Sequence, residues 1–307
     1  MSSPSEMSGD PLIVCVGHAA LDHIFQVDTF PVHATKTPAR SYQATGGGMA
    51  ANAAVAAVRL GARVRFVGAV GDDLAGAVVR EQLAQEGIDL VHLQVVAGAA
   101  TSVSSVIVDR LGERHIFNHR GNALARAALP PNRAFEGCDA VLVDPRWMAG
   151  ATRALYWARA HACLSVLDAD IAPHEDLAAL VPLADWAVFS EPGLRLWAPG
   201  CDVAIALEQA RAQGAQHSAV TLGAQGVVFT AADGLHAMDA FPVDVRDTLG
   251  AGDVLHGALA VALARGMPHH DAFRYASAAA ALKCTQSGGA RAAPTHVALR
   301  DFMKGLP

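Results

Sequence analysis

The sequence predicts an α/β fold in which a mainly parallel central sheet lies between two layers of helices, with a small separate β-sheet. Short apolar segments of strand length alternate with segments of helix length, a rhythm typical of parallel sheets covered by helices. The hydrophobic fraction of 52% against a charged fraction of 17% supports a large buried core. With 307 residues, the chain is long enough for one such domain and an added subdomain.

The elements of the central sheet follow in order along the chain. Glycines end the first two predicted helices, at Gly61 and Gly87. The predicted strands are Leu12–Val16, Val64–Val67, Ala140–Val143, Leu164–Leu167, Trp186–Phe189 and Ala219–Leu222, with a hairpin from Gly226–Thr230 and Leu235–Met238. The predicted helices are Ala50–Leu60, Leu74–Glu86, Ala151–His161, Val203–Gln213, Ala251–Ala264 and His270–Gln286. Ligands of open α/β sheets bind beyond the carboxyl ends of the strands, so we expect functional residues there.

Two segments without a helical pattern are predicted to form the small sheet. Residues 23–45 contain short alternating pieces, and residues 102–119 have the pattern of two strands around a turn at 110–113. We expect this sheet to be a lid over the carboxyl ends of the main strands. Its exposed apolar face is expected to form the contact of a homodimer, because such a face must be covered. The folded domain is expected to span residues 11–307, after a disordered polar tail at residues 1–10.

Charge, hydropathy and cysteine content argue against several classes of function. The net charge is −6 and no run of Lys and Arg occurs, so no nucleic-acid partner is expected. No apolar stretch approaches the ~18 residues of a membrane span, and the N-terminal residues do not form a signal peptide. None of the five cysteines forms a C-x-x-C pair, which argues against a zinc site or a disulfide framework and fits a reducing cytoplasm.

The segment 247–253, Asp-Thr-Leu-Gly-Ala-Gly-Asp, is the strongest functional motif and precedes an apolar helix. The small residues Gly250, Ala251 and Gly252 let the backbone approach a ligand closely. The helix that begins here presents unpaired N–H groups and a positive dipole end, which together form an anion hole for a phosphoryl group. Asp253 lies in the first turn, where a carboxylate can accept a hydroxyl proton during in-line attack. The alternative is a helix end that is merely capped by an aspartate.

A glycine-rich segment forms the second motif. Gly46, Gly47 and Gly48 enter a predicted helix and allow backbone contact with a small polar ligand. Asn52 stands on an alanine-rich face of that helix, where a buried amide needs hydrogen-bond partners that sugar hydroxyls would supply. A bond from Asn52 to a neighbouring loop is the alternative. No G-x-x-x-x-G-K-[ST] or G-x-G-x-x-G motif occurs at the expected position, which disfavours P-loop and dinucleotide chemistry.

Residues 46–76 and 247–253 resemble the two signatures of the pfkB, or ribokinase-like, carbohydrate kinase family, and the resemblance covers essentially the whole chain. It implies the ribokinase-like three-layer α/β/α sandwich and transfer of the γ-phosphate of ATP to a sugar hydroxyl. Asp253 would be the catalytic base, and the backbone of Gly250, Ala251 and Gly252 would be the anion hole. The sugar would be held by Asp22, Gly47, Gly48 and Asn52, and the nucleotide by Thr221, Gly223, Gly226 and Gly252.

One departure from the family concerns the metal ion. The family's N-x-x-E motif, which helps to organise Mg²⁺, corresponds here to Ser190-Glu191-Pro192-Gly193. Glu191 is therefore a candidate for a water-mediated contact with Mg²⁺ and equally for a cap of the following helix. Some relatives also use a monovalent cation, which would lie near residues 247–248 and 287–289.

Within the family, the closer resemblance is to ketohexokinase-like bacterial enzymes and above all to sulfofructose kinases, carried by residues 143–147, 167–171, 189–194 and 282–285. It implies a ketose or a sulfofructose-like acceptor. By this resemblance Lys36, Asn118 and Arg146 would surround the sulfonate, since an ammonium, an amide and a guanidinium satisfy its acceptor oxygens. The structural alternatives are an ion pair of Arg146 with Asp144 and a solvated Lys36.

Two other functions remain open at this stage. A nucleoside kinase of the same fold would need a stacking platform, for which the lid segments offer Phe25, Phe30, Tyr42 and Phe117. A catalytically silent sugar-binding regulator is the alternative from another class, and the intact Asp253 argues against it. The sequence does not fix which sugar is used or which hydroxyl is phosphorylated.

Overall fold

The computed structural model describes residues 9–33, 36–110, 113–231 and 233–305. Within these ranges the strands are β1 (Leu12–Gly17), β2 (Ala20–Gln26), β3 (Ser41–Gly47), β4 (Arg63–Gly71), β5 (Asp89–Val96), β6 (Ser102–Val108), β7 (Arg114–His119), β8 (Ala140–Val143), β9 (Leu164–Ala169), β10 (Trp186–Ser190), β11 (His217–Thr221), β12 (Val227–Ala231) and β13 (Gly234–Met238). The α-helices in the same ranges are α1 (Met49–Arg59), α2 (Leu74–Gln85), α3 (Ala123–Arg126), α4 (Met148–Ala160), α5 (His174–Leu180), α6 (Glu191–Trp197), α7 (Val203–Ala212), α8 (Ala251–Ala264), α9 (His269–Cys284) and α10 (His296–Lys304).

The central sheet has the strand order β13-β12-β11-β10-β9-β8-β1-β4-β5. All neighbouring pairs from β11 to β5 are parallel, whereas β12 and β13 extend the sheet in antiparallel fashion. The predicted mainly parallel sheet is thus confirmed. Its register aligns the carboxyl ends of the strands, since Val16 pairs with Val143 and Val143 with Leu167. The residues that follow these ends therefore meet at one edge of the sheet.

Side chains that alternate along each strand create two cores, one on each face of the sheet. Ile13 and Cys15 pack on one side with residues of α1, α8 and α9. Val14 and Val16 pack on the other side with residues of α4, α5 and α7. This arrangement gives the predicted three layers. Among the described residues, no helix is long and apolar enough to span a membrane.

A second sheet, separate from the central one, has the order β3-β2-β6-β7. The predicted small sheet is therefore confirmed, although β2 begins at Ala20 and β3 ends at Gly47, so that Gly46 and Gly47 lie in a strand. Gly48 alone leads into α1 with a φ of 97°, and a Cβ atom there would lie 2.5 Å from the His18 carbonyl oxygen. Residues 111–112 of the predicted turn and residues 1–8 of the predicted tail lie outside the described residues.

Several elements had not been predicted, namely β5, α3, α5, α6 and α10. The edge strand β5 mixes polar and apolar residues and is only partly buried, so it lacks the continuous apolar run of a central strand. The helices α3, α5 and α6 have four to seven residues, too few to show a helical period. Short and amphipathic elements depend on their neighbours, which the local sequence does not reveal.

Candidate active site

The amino end of α8 is a candidate site for an anion. Gly250 precedes the helix in the left-handed conformation, with a φ of 76°, and as a glycine it has no side chain to cap the first amides. The backbone N–H groups of Gly252 and Asp253 have no acceptor among the described residues. A Cβ atom built on Gly252 would meet no other atom within 4 Å, so the backbone there faces open space. Unpaired amides at the positive end of a 14-residue helix attract a phosphoryl group.

Asp253 lies in the first turn of α8, half-buried beside these amides. The side-chain amide of Asn52 on α1 donates a 2.7 Å hydrogen bond to its Oδ2 atom. Burial and then the charge of the nearby Asp168 raise the pKa of Asp253 to about 8, although the hydrogen bond from Asn52 opposes this rise. A carboxyl group with a pKa near neutrality is suited to accept a proton and later release it. Asn52 thus bonds the predicted base, and not a neighbouring loop.

Two further aspartates lie near Asp253, one near the end of strand β9 (Asp168) and one directly after the strand (Asp170). Asp168 is only 2% exposed, and burial, followed by the charges of Asp170 and Asp144, raises its pKa well above the ordinary value. Asp170 accepts a 2.6 Å hydrogen bond from the Ser190 hydroxyl. No role had been predicted for these carboxyl groups. Their position at the carboxyl end of an apolar strand, where ligands of open α/β sheets bind, is the signal that could have identified them.

His256 connects the first turn of α8 to the central sheet. Its Nδ1 atom lies 2.8 Å from the Gly252 carbonyl oxygen and 3.5 Å from the Asp168 carboxylate, and its Nε2 atom lies 3.2 Å from the Val188 carbonyl oxygen. The ring is 2% exposed, and burial lowers the pKa of His256. These contacts join the carbonyl group of Gly252, in the first turn of α8, to strands β9 and β10.

A polar row crosses the second sheet and includes the predicted sugar ligand Asp22. The register pairs Asp22 with Thr45 on one side and with Ser104 on the other, and Ser104 with Asn118. Burial raises the pKa of Asp22, and its hydrogen bond with Ser104 opposes that rise. The Thr45 hydroxyl is buried and has no partner among the described residues. This row therefore offers several polar groups to a ligand with hydroxyls.

Two of the predicted glycines allow the backbone around Asp22 to pack closely. A Cβ atom on Gly47 would lie 2.0 Å from the Asp22 Oδ2 atom, so only glycine lets that carboxylate lie against β3. Gly48 presses against the backbone of residues 18 and 19. The packing around Asp22 and at the start of α1 therefore requires glycine at both positions.

Asp144 holds three elements together and does not pair with the Arg146 side chain. Its Oδ2 atom accepts hydrogen bonds from the amides of His18 (2.8 Å) and Ala50 (3.0 Å), and its Oδ1 atom accepts one from the amide of Arg146 (2.9 Å). A Cβ atom on Gly17 would overlap this carboxylate, at 2.4 Å from its Cγ atom. The carboxylate thus caps α1 and joins it to the ends of β1 and β8.

The half-buried Arg146 guanidinium has no ion pair or hydrogen bond to any described side chain. It nevertheless lies close enough to Asp144 and Asp168 to lower their pKa values against the effect of burial. It also contributes to lowering the pKa of His18 to about 4, after burial and ahead of Arg120. The His18 Nε2 atom is buried and unpartnered among the described residues. The charges of Arg146 and Arg120 therefore lie near the His18 imidazole, whose Nε2 atom could bind a ligand.

The other two predicted sulfonate ligands contribute less in this structure. Lys36 is exposed, and no described residue contacts its ammonium. The Asn118 amide donates to the Ser104 hydroxyl at 3.1 Å and to the Ser102 hydroxyl at 3.4 Å, within the second sheet. Arg120, two residues after Asn118, had not been predicted. A cation placed just after a strand of the predicted lid is the signal that could have revealed it.

A cleft of about 470 Å³ opens beside the amino end of α8 on the side of β11. Its walls include the predicted nucleotide-binding residues Thr221, Gly223, Gly226 and Gly252, together with Ala240, Phe241, Val245, Leu255 and Cys284. Gly226 has a φ of 89°, and a Cβ atom there would lie 2.0 Å from the Met238 carbonyl oxygen, so the hairpin turn requires glycine. A largely apolar slot that ends at an anion hole suits a flat base joined to phosphates.

Glu191 does not lie free in the cleft. It pairs with Arg195 one helical turn later, at 2.6 Å, and its side chain is 42% exposed. Ser190, not Glu191, caps α6 by accepting a 3.0 Å hydrogen bond from the Gly193 amide. No cluster of three or more His, Cys, Asp or Glu residues in the described part of the chain is arranged to hold a metal ion.

Arg114 spans the gap between the second sheet and the anion site. Its guanidinium donates a 2.7 Å hydrogen bond to the Thr248 hydroxyl, two residues before Gly250. This contact places a positive charge from β7 beside the amino end of α8. Sequence reasoning missed it, because the two residues are 134 positions apart.

Comparisons with known proteins show what this chain is similar to. A family model described as pfkB family carbohydrate kinase matches residues 10–296. Ribokinase from Haemophilus influenzae is 28% identical over 303 residues, which cover 95% of this chain and 98% of that protein. Nucleoside kinase from Methanothermobacter thermautotrophicus is 28% identical over 298 residues, covering 92% of each. A crystal structure from Agrobacterium tumefaciens, of a protein with the provisional name ribokinase, gives a TM-score of 0.92 at 37% identity and covers 96% of this chain and 98% of that one.

Proposed function

The chain belongs to the pfkB family of carbohydrate kinases, and we propose that it phosphorylates a ketose-type sugar that carries an anionic group, using ATP as the donor. The observation that carries the kinase activity is the pairing of Asp253 and Asn52 beside the unpaired amides of α8. The base and the unpaired amides lie within one turn of α8, and the amide that orients the base reaches it from α1. Phosphoryl transfer needs little else from the protein besides positioning and charge stabilisation.

In the proposed reaction, Asp253 accepts the proton of the attacking hydroxyl while Asn52 keeps its carboxylate aligned. The amides of Gly252 and Asp253 donate to the phosphoryl oxygens as negative charge shifts toward the leaving group. The adenosine part of ATP would occupy the cleft beside β11, and Mg²⁺ that arrives with ATP would neutralise charge on its phosphates. Asp22 would accept hydrogen bonds from other hydroxyls of the acceptor. Closure of the second sheet would exclude water from these groups.

The unpaired Arg146 supports an acceptor with an anionic group. A guanidinium that is partly removed from water without a partner is costly, so a pocket built around one favours a ligand that supplies a negative charge. Both Asp144 oxygens are engaged by backbone amides and leave Arg146 available. Arg120 adds a second positive charge near His18. A sulfonate or phosphate, with three acceptor oxygens, would match this set of donors.

A nucleoside acceptor is the second candidate, and the similarity to a nucleoside kinase from Methanothermobacter thermautotrophicus favours it. The geometry of the second sheet argues against it. Strand alternation puts Phe25, Tyr42 and Phe117 on the face opposite to Asp22, because each lies an odd number of residues from a member of the polar row. These rings cannot stack on a base bound at Asp22 without a change of register.

The test is a comparison of acceptors, read by release of ADP and by mass spectrometry of the product. We expect kcat/KM for 6-deoxy-6-sulfofructose to exceed that for fructose, ribose and adenosine by about 10²-fold or more. In Arg146→Ala, kcat/KM for the sulfonated sugar should fall by about 10²-fold, with fructose changed by no more than about threefold. Arg300→Ala, at an exposed position of α10, is the matched control.

Equal use of fructose and 6-deoxy-6-sulfofructose by the wild type would remove the anionic acceptor and leave the kinase in place. Preferred use of adenosine would favour the nucleoside kinase. Binding of a sugar without any ADP release would indicate a silent regulator and contradict the proposed activity.

A further inference from the structure

Lys283, in the last turn of α9, carries a fully buried charge near the anion site. The sequence contains three lysines, and this one has a side chain with 0% exposure. Its Nζ atom donates a 2.9 Å hydrogen bond to the Asp247 carbonyl oxygen and lies 3.4 Å from the Asp247 Oδ2 atom. A buried ammonium is retained only where such partners compensate for the water it has lost.

The Asp247 carboxylate in turn accepts hydrogen bonds from three backbone amides in two segments. Its Oδ1 atom accepts a hydrogen bond from the Leu249 amide at 2.8 Å, and its Oδ2 atom accepts bonds from the amides of Gly288 (3.2 Å) and Gly289 (3.3 Å). Burial raises the pKa of Asp247, but these amides and the Lys283 charge lower it below the usual value, so the carboxylate is ionised. The turn that leads to Gly250 is therefore fixed to the end of α9 and to the loop after it.

The residues around this carboxylate do not fit a free monovalent cation. Such an ion, expected near residues 247–248 and 287–289, would need the Asp247 oxygens as ligands. The carbonyl oxygen and one carboxylate oxygen of Asp247 already face the ammonium of Lys283. A second cation beside that ammonium would meet like-charge repulsion in a site that is shielded from water.

We propose that Lys283 takes the place of a monovalent cation, so that phosphoryl transfer by this chain is independent of K⁺. Lys283 is then a positioning residue that acts through Asp247 and the turn at 247–250 on the amides of α8. The proposal rests on the proposed kinase function for its effect on turnover, but not for its effect on ion binding.

The first test compares chloride salts of K⁺, Na⁺, NH₄⁺ and choline at equal ionic strength. For the wild type we expect kcat and Tm to be the same in all four, with kcat within about twofold. In Lys283→Ala, we expect kcat to fall at least tenfold in choline and to recover severalfold with NH₄⁺, methylammonium or K⁺. The same cations should raise the Tm of this variant, since they bind the folded state alone. Lys304→Ala, on the exposed face of α10, is the matched control and should show neither effect.

A wild type that needs K⁺ for turnover, or that K⁺ stabilises specifically, overturns the proposal. So does a Lys283→Ala variant that responds to none of the cations in either assay, because Lys283 would then serve packing alone. If that variant does not fold, the wild-type comparison decides by itself. If no acceptor yields ADP, the proposed function fails, and the Tm series still tests the replacement of the cation.

Discussion

The exchange of Asp253 for Asn is the most direct test of the proposed mechanism, because it removes the proposed base while it preserves the shape of the site. The Asn side chain keeps an oxygen that can accept the bond from Asn52, which is 2.7 Å in the wild type. The amides of α8 are untouched, so binding of ATP and of the acceptor should survive. Loss of a positioned base lowers the rate by about 10²–10⁴-fold. We therefore expect Asp253→Asn to bind both ligands by calorimetry and to release ADP at least 10²-fold more slowly.

The pH dependence follows from the pKa of Asp253, which burial raises to about 8. Only the ionised form accepts a proton, so roughly 10% of the free enzyme is competent at pH 7, about half at pH 8 and about 90% at pH 9. We expect kcat/KM to rise about fivefold from pH 7 to pH 8 and less than twofold from pH 8 to pH 9. Asn52→Leu removes a contact that lowers this pKa, and its profile should shift to higher pH.

Stability gives a readout that is independent of turnover. In the folded state the pKa of Asp253 lies above its unfolded value, so the stabilisation is complete below pH 4 and is lost as pH rises through about 8. Because the side chain is half-buried and partly screened, we expect a loss on the order of a few kcal/mol. Asp253→Asn does not ionise, and its Tm should exceed that of the wild type at pH 9 but not at pH 5. A kcat/KM profile that is flat from pH 6 to 9, or near-native turnover in Asp253→Asn, would refute the reasoning.

Three further outcomes are expected. Arg114→Ala should lower kcat about tenfold with little change in Tm, because the Arg114 guanidinium reaches the anion site through Thr248. The control is Arg110→Ala, since the exposed Arg110 pairs with Asp28, and equal kcat values in the two variants would contradict a role for Arg114. Gly48→Ala should destabilise the fold by about 2–4 kcal/mol and lower the Tm by roughly 5–10 °C, because the new Cβ atom is strained at a φ of 97° and lies 2.5 Å from the His18 carbonyl oxygen. The control Gly137→Ala, at a φ of 71° with no atom within 4 Å, should lower the Tm less. The wild type should be a dimer by light scattering and Phe117→Asp a monomer, because that ring is 66% exposed on the second sheet; a monomeric wild type contradicts this contact.

The sequence by itself determined the layers of the fold and the centre of the site. Continuous apolar runs identified the strands of the parallel sheet other than the edge strand β5, because a strand buried on both faces must be apolar throughout. The segment 247–253 predicted the start of α8 and a carboxylate beside its first amides, because small residues, a helix start and an aspartate lie within seven consecutive positions. A local pattern is sufficient where the structure it specifies is itself local.

Only the tertiary structure decided which distant side chains meet. Asp144 and Arg146 are two residues apart, yet the carboxylate binds three backbone amides and leaves the guanidinium unpaired. The aromatic residues of the second sheet and Asp22 proved to lie on opposite faces, which depends on the exact start of β2. Lys283 and Asp247 meet although they are 36 residues apart. The energy of a buried charge depends on the partners that the fold brings to it, and those partners lie elsewhere in the chain.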